Sequence, residues 1–134
     1  MFFPVVIHQA RDSAFGVIVP DLPGCFSAGD TLDEALDNVA SAIDFHLEGL
    51  AEDGEVIPVA SSVAEYKDNP DYTDGTWVLI PVDLSCYLGK AQRINISLPS
   101  RLIHKIDRFV DTHEEYKDRS KFLADAALKV LQNN

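Results

Sequence analysis

The chain has 134 residues, 46% of them apolar, and a formal net charge of −11, which allows one domain or two small ones with an ordinary core. Its two cysteines, Cys25 and Cys86, form neither a disulfide framework nor a CxxC site, so reduced thiols in a cytoplasmic protein are expected. The apolar start Met1-Phe2-Phe3-Pro4-Val5-Val6-Ile7 lacks a basic leader and meets His8; it is too short for a signal peptide or a membrane span and reads as a strand.

Taken in chain order, Phe3 to Gln9 and Ala14 to Val19 are rich in β-formers and flank a polar turn at Arg11, Asp12 and Ser13, which predicts a hairpin. Asp21-Leu22-Pro23-Gly24 is a turn by composition, and Cys25 to Ala28 a short third strand stopped by Gly29. Thr31-x-x-Glu34 is a capping box, followed by a helical stripe of Leu32, Leu36, Val39, Ile43, Leu47 and Leu50 that runs to Asp53-Gly54. The outer face of this helix carries Asp33, Glu34, Asp37, Asp44, Glu48 and Glu52, with no lysine or arginine between residues 31 and 54. Such uncompensated like charge keeps a protein soluble, or suits a basic partner.

Beyond it, Ser61 or Ser62 can cap one helical turn through Tyr66, and Asn69-Pro70-Asp71 with Asp74-Gly75 reads as loop. Thr76 to Val82 is a nearly continuous apolar run, which suggests a strand covered on both faces or lying beside the helix, with Pro81 at an edge or an end. The first module, 1–82, is therefore an antiparallel sheet with one main helix, and 83–90 is a linker.

The charge changes sign after the linker: residues 1–90 hold 16 acidic and 3 basic side chains, residues 91–134 hold 6 and 8. In Arg93-Ile94-Asn95-Ile96-Ser97-Leu98-Pro99 polar and apolar side chains alternate, so Arg93, Asn95 and Ser97 share one face of a strand and Ile94, Ile96 and Leu98 the other. Two helical patterns follow, one through Leu102, Ile103, Ile106, Phe109 and Val110, one through Phe122, Leu123, Ala126, Ala127, Val130 and Leu131. A lone strand has no partner for its backbone, and 44 residues cannot close a core. The unit is expected to dimerise through this strand as a two-stranded ribbon that fits the DNA major groove. Arg93, Asn95 and Ser97 would then read base edges. Asp118 is expected to cap the second helix, aiming the amides around Arg119, Ser120 and Lys121 at a backbone phosphate.

The run Arg93 to Pro99, with Leu102-Ile103-x-x-Ile106-Asp107 and Asp118-Arg119-Ser120-x-Phe122-Leu123-x-x-Ala126, resembles a ribbon-helix-helix domain of the Arc/MetJ type. That resemblance implies the same division between base-reading strand residues and a phosphate grip at the second helix. A bland alternative is a dimerisation module with a polar outer face. Pro23-Gly24-Cys25-Phe26-Ser27-x-Gly29-Asp30-Thr31-Leu32-x-Glu34-Ala35 after a hairpin, with Val82-Asp83-Leu84 leading into Arg93 to Pro99, resembles a HicB antitoxin over nearly the whole chain. This implies an α+β fold: a degenerate RNase H-like first domain that blocks a HicA toxin, a small basic mRNA-cleaving ribonuclease, and a second domain, 91–134, that represses its own operon.

Catalysis finds little support. Asp12, Asp21 and Asp30 lie in turns beside strands, where a two-metal nuclease could keep ligands, but turns favour aspartate anyway. The strand interiors hold no carboxylate, and His8, His46, His104 and His113 lack HxxxH or HExxH spacing. No cofactor is expected. The reading is of a non-enzymatic antitoxin and repressor, its partners a HicA-type toxin, double-stranded operator DNA and a second copy, as dimers or pairs of dimers. The alternative is a ribbon-helix-helix repressor whose first domain senses a small ligand.

Overall fold

The structure, a computed structural model, describes residues 1–133. Strands β1 (Phe2–Gln9), β2 (Phe15–Ile18), β3 (Phe26–Gly29) and β4 (Thr76–Pro81) form one antiparallel sheet in the order β3-β2-β1-β4. The hairpin is β1–β2, with Ile7 opposite Val17. β4 returns from far along the chain to pair with β1, placing Phe3 opposite Ile80 and Val5 opposite Val78. Residues facing each other across a sheet share a face. Phe3, Val5, Ile7 and Val17 therefore point together at helix α1 (Leu32–Glu52), whose Ala35, Val39, Ile43 and Leu47 close the core with them. Fully burying side chains of this size stabilises the fold by about 1.5–3 kcal/mol each.

The capping box forms as its spacing predicts, with the Thr31 hydroxyl accepting from the Glu34 amide at 3.1 Å. β3 reaches α1 at Gly29: a Cβ there would lie 2.4 Å from the Ala35 nitrogen. Only glycine permits this approach of strand to helix.

The opposite face of the sheet is covered on one side only. Tyr66 stacks on Trp77 of β4 at 6.3 Å, and Tyr72 packs edge-on against both rings. Tyr66 and Tyr72 belong to two 3-10 turns, Val63–Glu65 with its C-cap Tyr66, where the sequence predicts a helical turn, and Pro70–Tyr72, where it predicts loop. β4 is an edge strand with Leu79 exposed. Its continuous apolar run overstated its burial, because Trp77 is shielded by aromatic rings and Leu79 by nothing.

Residues 83–90, read as linker, carry a further element. Leu84 is buried in the core, and the single-turn helix α2 (Ser85–Leu88) lets the Tyr87 hydroxyl donate to Asp44 on α1. Helices α3 (Ser100–Thr112) and α4 (Arg119–Gln132) complete the chain. The amide of Val59 donates to Gln132 Oε1 at 2.9 Å, tying the end of α4 to the loop after α1.

Candidate functional site

The stretch from Arg93 to Pro99 forms no strand within the single chain, and Arg93, Asn95 and Ser97 are exposed along it. So are the side chains that alternate with them: Ile94 is 75% and Ile96 58% exposed. A strand is defined by a ladder of bonds to a neighbour, and no neighbouring segment of this chain supplies one here.

The two helices behind it bury few apolar side chains. α3 and α4 meet through an aromatic cluster in which Phe109 lies 5.5 Å from Phe122 and 5.6 Å from Tyr116, while the His113 ring stacks on Phe109 at 3.8 Å. His113 Nδ1 also lies 2.8 Å from the Phe109 carbonyl, closing the end of α3. Ile106 is the one buried apolar side chain among the described residues after 90, whereas Leu102, Phe109, Val130 and Leu131 are exposed. A groove of about 460 Å³ runs between the helices, lined by Leu102, Ile106, Phe109, Tyr116, Phe122 and Ala126.

At the start of α4 the cap forms: Asp118 has extended backbone, and its carboxylate accepts from the Lys121 amide at 2.9 Å. The three residues expected to grip phosphate sit in the first turn in different states. Arg119 is held bidentately by Asp107 of α3, Nε to Oδ1 at 3.0 Å and Nη2 to Oδ2 at 2.8 Å. This pairing lowers the Asp107 pKa and raises that of Arg119. Lys121 Nζ donates to Asp125 Oδ1 at 3.1 Å, and Asp125 is nearly buried. Ser120 is exposed. Among the described residues after 90, these two ion pairs leave Arg93, Arg101, Lys105, Arg108, Lys117 and Lys129 exposed without a carboxylate partner.

In the first module the three turn aspartates do not converge, and among the described residues no group of three histidine, cysteine or acidic side chains could hold a metal. Asp12 is exposed with φ 56°, a turn conformation that aspartate tolerates. Asp30 is exposed beside the capping threonine. Asp21 is 6% exposed and structural: Oδ2 accepts from the Ser61 amide at 2.8 Å and Oδ1 from the Tyr66 hydroxyl at 2.5 Å. Burial, and then this bond, push the Tyr66 pKa up to about 12. Its sequence signal was only that of a turn residue, because both partners lie 40 or more positions away.

Comparison with known proteins sets these features in a family. The family model for the HicB-like antitoxin of bacterial toxin-antitoxin systems matches residues 3–127. A 14.9 kDa protein of the rep-hol intergenic region of Haemophilus phage HP1 is 47% identical over 131 residues, 98% of each chain. The crystal structure of the Burkholderia pseudomallei antitoxin HicB is similar at 43% identity and a TM-score of 0.71, over 98% of both chains. Its separately crystallised N-terminal domain covers 63% of this chain. The HicB3 antitoxin structure matches at 30% identity and a TM-score of 0.80 over 98% of both chains. A chain in the HicA3 and HicB3 toxin-antitoxin complex matches at 28% identity and a TM-score of 0.54, covering 62% of this chain and 99% of that one.

Proposed function

The chain belongs to the HicB-like antitoxins of bacterial toxin-antitoxin systems, and on that premise we propose that it is a two-module inhibitor: the first module masks a HicA-type ribonuclease, and the second, as a dimer, represses transcription from operator DNA. Both activities are stoichiometric binding, and neither needs a cofactor.

The observation that carries the dimeric reading is the state of residues 93–98. Ile94 and Ile96 stand in water, alternating with the exposed Arg93, Asn95 and Ser97 in a segment that forms no strand by itself, while the two helices behind them leave Leu102, Phe109, Val130 and Leu131 uncovered. A second copy paired antiparallel along this segment would satisfy both backbones and bring two sets of isoleucines onto two half-cores. Burying Ile94 and Ile96 alone is worth about 1.5–3 kcal/mol per side chain. In that ribbon Arg93 can donate twice to a guanine edge and Asn95 can pair bidentately with adenine, with Ser97 adapting to either.

The phosphate contact falls chiefly to the first turn of α4, where the Ser120 hydroxyl and the leading amides meet the positive end of the helix dipole. Arg119 joins by exchanging Asp107 for phosphate. A module with eight basic and six acidic side chains supplies few phosphate contacts per subunit, so affinity depends on repeated half-sites and falls steeply with salt.

For the first module, support comes from size. The chain in the HicA3–HicB3 complex covers nearly the same share of this chain as the Burkholderia N-terminal domain, which suits a toxin held by this module alone. Its 15 acidic side chains against 2 basic ones would draw in a protein whose RNA-binding cleft is positive, raising the association rate and competing with RNA. Calorimetric titration with a HicA-type protein, sought first in the neighbouring reading frame, tests this half, and a gel shift on the upstream DNA tests the other. Absence of toxin binding refutes masking, and absence of a shift refutes repression.

A further inference from the structure

Resting on that masking reading, we propose where the toxin docks: on the uncovered β2–β3 side of the sheet, in the groove between the Val19–Cys25 turn and Tyr72, with Phe26 as its principal contact. The register puts Ile18 opposite Phe26 on the face turned away from α1, and His8 opposite Gly16 on the same face. The aromatic rings of Tyr66, Tyr72 and Trp77 cover only the β1–β4 half of that face. The β2–β3 half is bare: Phe26 is 72% and Ile18 39% exposed, at the floor of a groove of about 670 Å³. Single exposed apolar side chains are ordinary; two adjacent ones in a concave surface mark an interaction site.

Both walls of the groove are fixed before anything binds. The turn is closed by backbone bonds from Val19 to Cys25, Leu22 to Val19 and Cys25 to Leu22, at 2.9–3.1 Å. Asp21 then pins it to Ser61 and Tyr66. Tyr66 is also packed against Tyr72, the opposite wall, and against Trp77. One tyrosine thus braces both sides, and a surface that needs no ordering on binding loses less affinity to entropy. At Gly24, φ +84°, nothing lies within 4 Å of where a Cβ would stand, so the rim is open to a partner.

Charge selects the occupant. The segment that carries Tyr66 and Tyr72 holds Glu65, Asp68, Asp71 and Asp74 against the single cation Lys67, so a partner entering past the Tyr72 wall meets an acidic side. A second copy would bring the same charge and be repelled, whereas a basic protein is attracted. A small ligand would want several buried polar groups converging on it, and the polar side chains of the lining, His8, Ser27 and Tyr72, are none of them buried.

The test uses the full chain and a HicA-type protein that it binds, titrated in a calorimeter. Phe26 is largely in water, so Phe26→Asp and Phe26→Ala leave the melting curve in place. Phe26→Asp weakens toxin binding about thirtyfold or more and Phe26→Ala less, as for an aromatic hot spot. Leu79→Asp, on the far edge strand, leaves it within about threefold. Wild-type affinity in Phe26→Asp overturns the proposal while the masking reading stands. Loss of antitoxin self-association in Phe26→Asp, measured by sedimentation without toxin, overturns it too, because the occupant is then a second copy. If the wild type itself binds no toxin, it is the masking reading that fails.

Discussion

Replacing Asp21 with alanine tests whether a single buried carboxylate ties the β2–β3 turn to the loop after α1. The side chain is 6% exposed and takes two donors, the Ser61 amide at 2.8 Å and the Tyr66 hydroxyl at 2.5 Å. A buried donor stripped of its acceptor costs about 1–3 kcal/mol. Among the described residues the Ser61 amide has no other acceptor, and Tyr66 is partly exposed and recovers some hydration, so Asp21→Ala should lose about 2–4 kcal/mol. Asp21→Asn keeps one acceptor oxygen and should lose about half of that. The chain's single tryptophan, Trp77, stacks on Tyr66 and reports the change. Urea unfolding followed by its fluorescence, at one fixed protein concentration, gives both stabilities. A double-mutant cycle with Tyr66→Phe should show a coupling of about 1 kcal/mol. A loss under about 0.5 kcal/mol in Asp21→Ala, or strict additivity in the cycle, would refute the brace.

Other consequences can be checked separately. Because the folded-state pKa of Tyr66 is raised to about 12 from 10.0, its stabilisation is complete below pH 10 and is lost as pH climbs towards 12; Tyr66→Phe should flatten that alkaline decline. In an absorbance titration of the four tyrosines, Tyr66 and Tyr87, the latter raised by burial and then by its bond to Asp44, should ionise last. Gly29→Ala pushes a methyl group to 2.4 Å from the Ala35 nitrogen and should lower stability by about 1–3 kcal/mol in a urea melt. Asn95→Ala should cost about 1–3 kcal/mol per half-site in a gel shift and relax base preference, while Ser120→Ala should weaken all sequences alike. Equal losses on every sequence for Asn95→Ala would count against base reading.

Local signals served well where the cause was local. The hairpin, the Thr31 capping box and the Asp118 cap form where turn chemistry and spacing place them, because each depends on residues within a few positions. The position of β1 between β2 and β4 rests on a pairing some 70 residues apart, which no window of sequence contains. Asp21 was legible as a turn residue and illegible as an anchor for the same reason. Leu84 and Tyr87 were taken as linker because a four-residue helix shows no period, yet they pack on α1. Arg119 and Lys121 stand at the expected helix start, but their carboxylate partners Asp107 and Asp125 could be assigned only once both helices were in place. The proposed ribbon fits this pattern: the alternation of residues 93–98 is plain in the sequence, and among the described residues no strand pairs with it.

Sedimentation equilibrium of the full chain at micromolar concentration, beside Ile96→Asp, puts the shared-ribbon account at greatest risk. The wild type should run as a dimer or a pair of dimers, and Ile96→Asp should shift towards monomer and lose operator binding with it. Folded wild-type monomers, or an Ile96→Asp variant that associates and binds DNA as the wild type does, would contradict it.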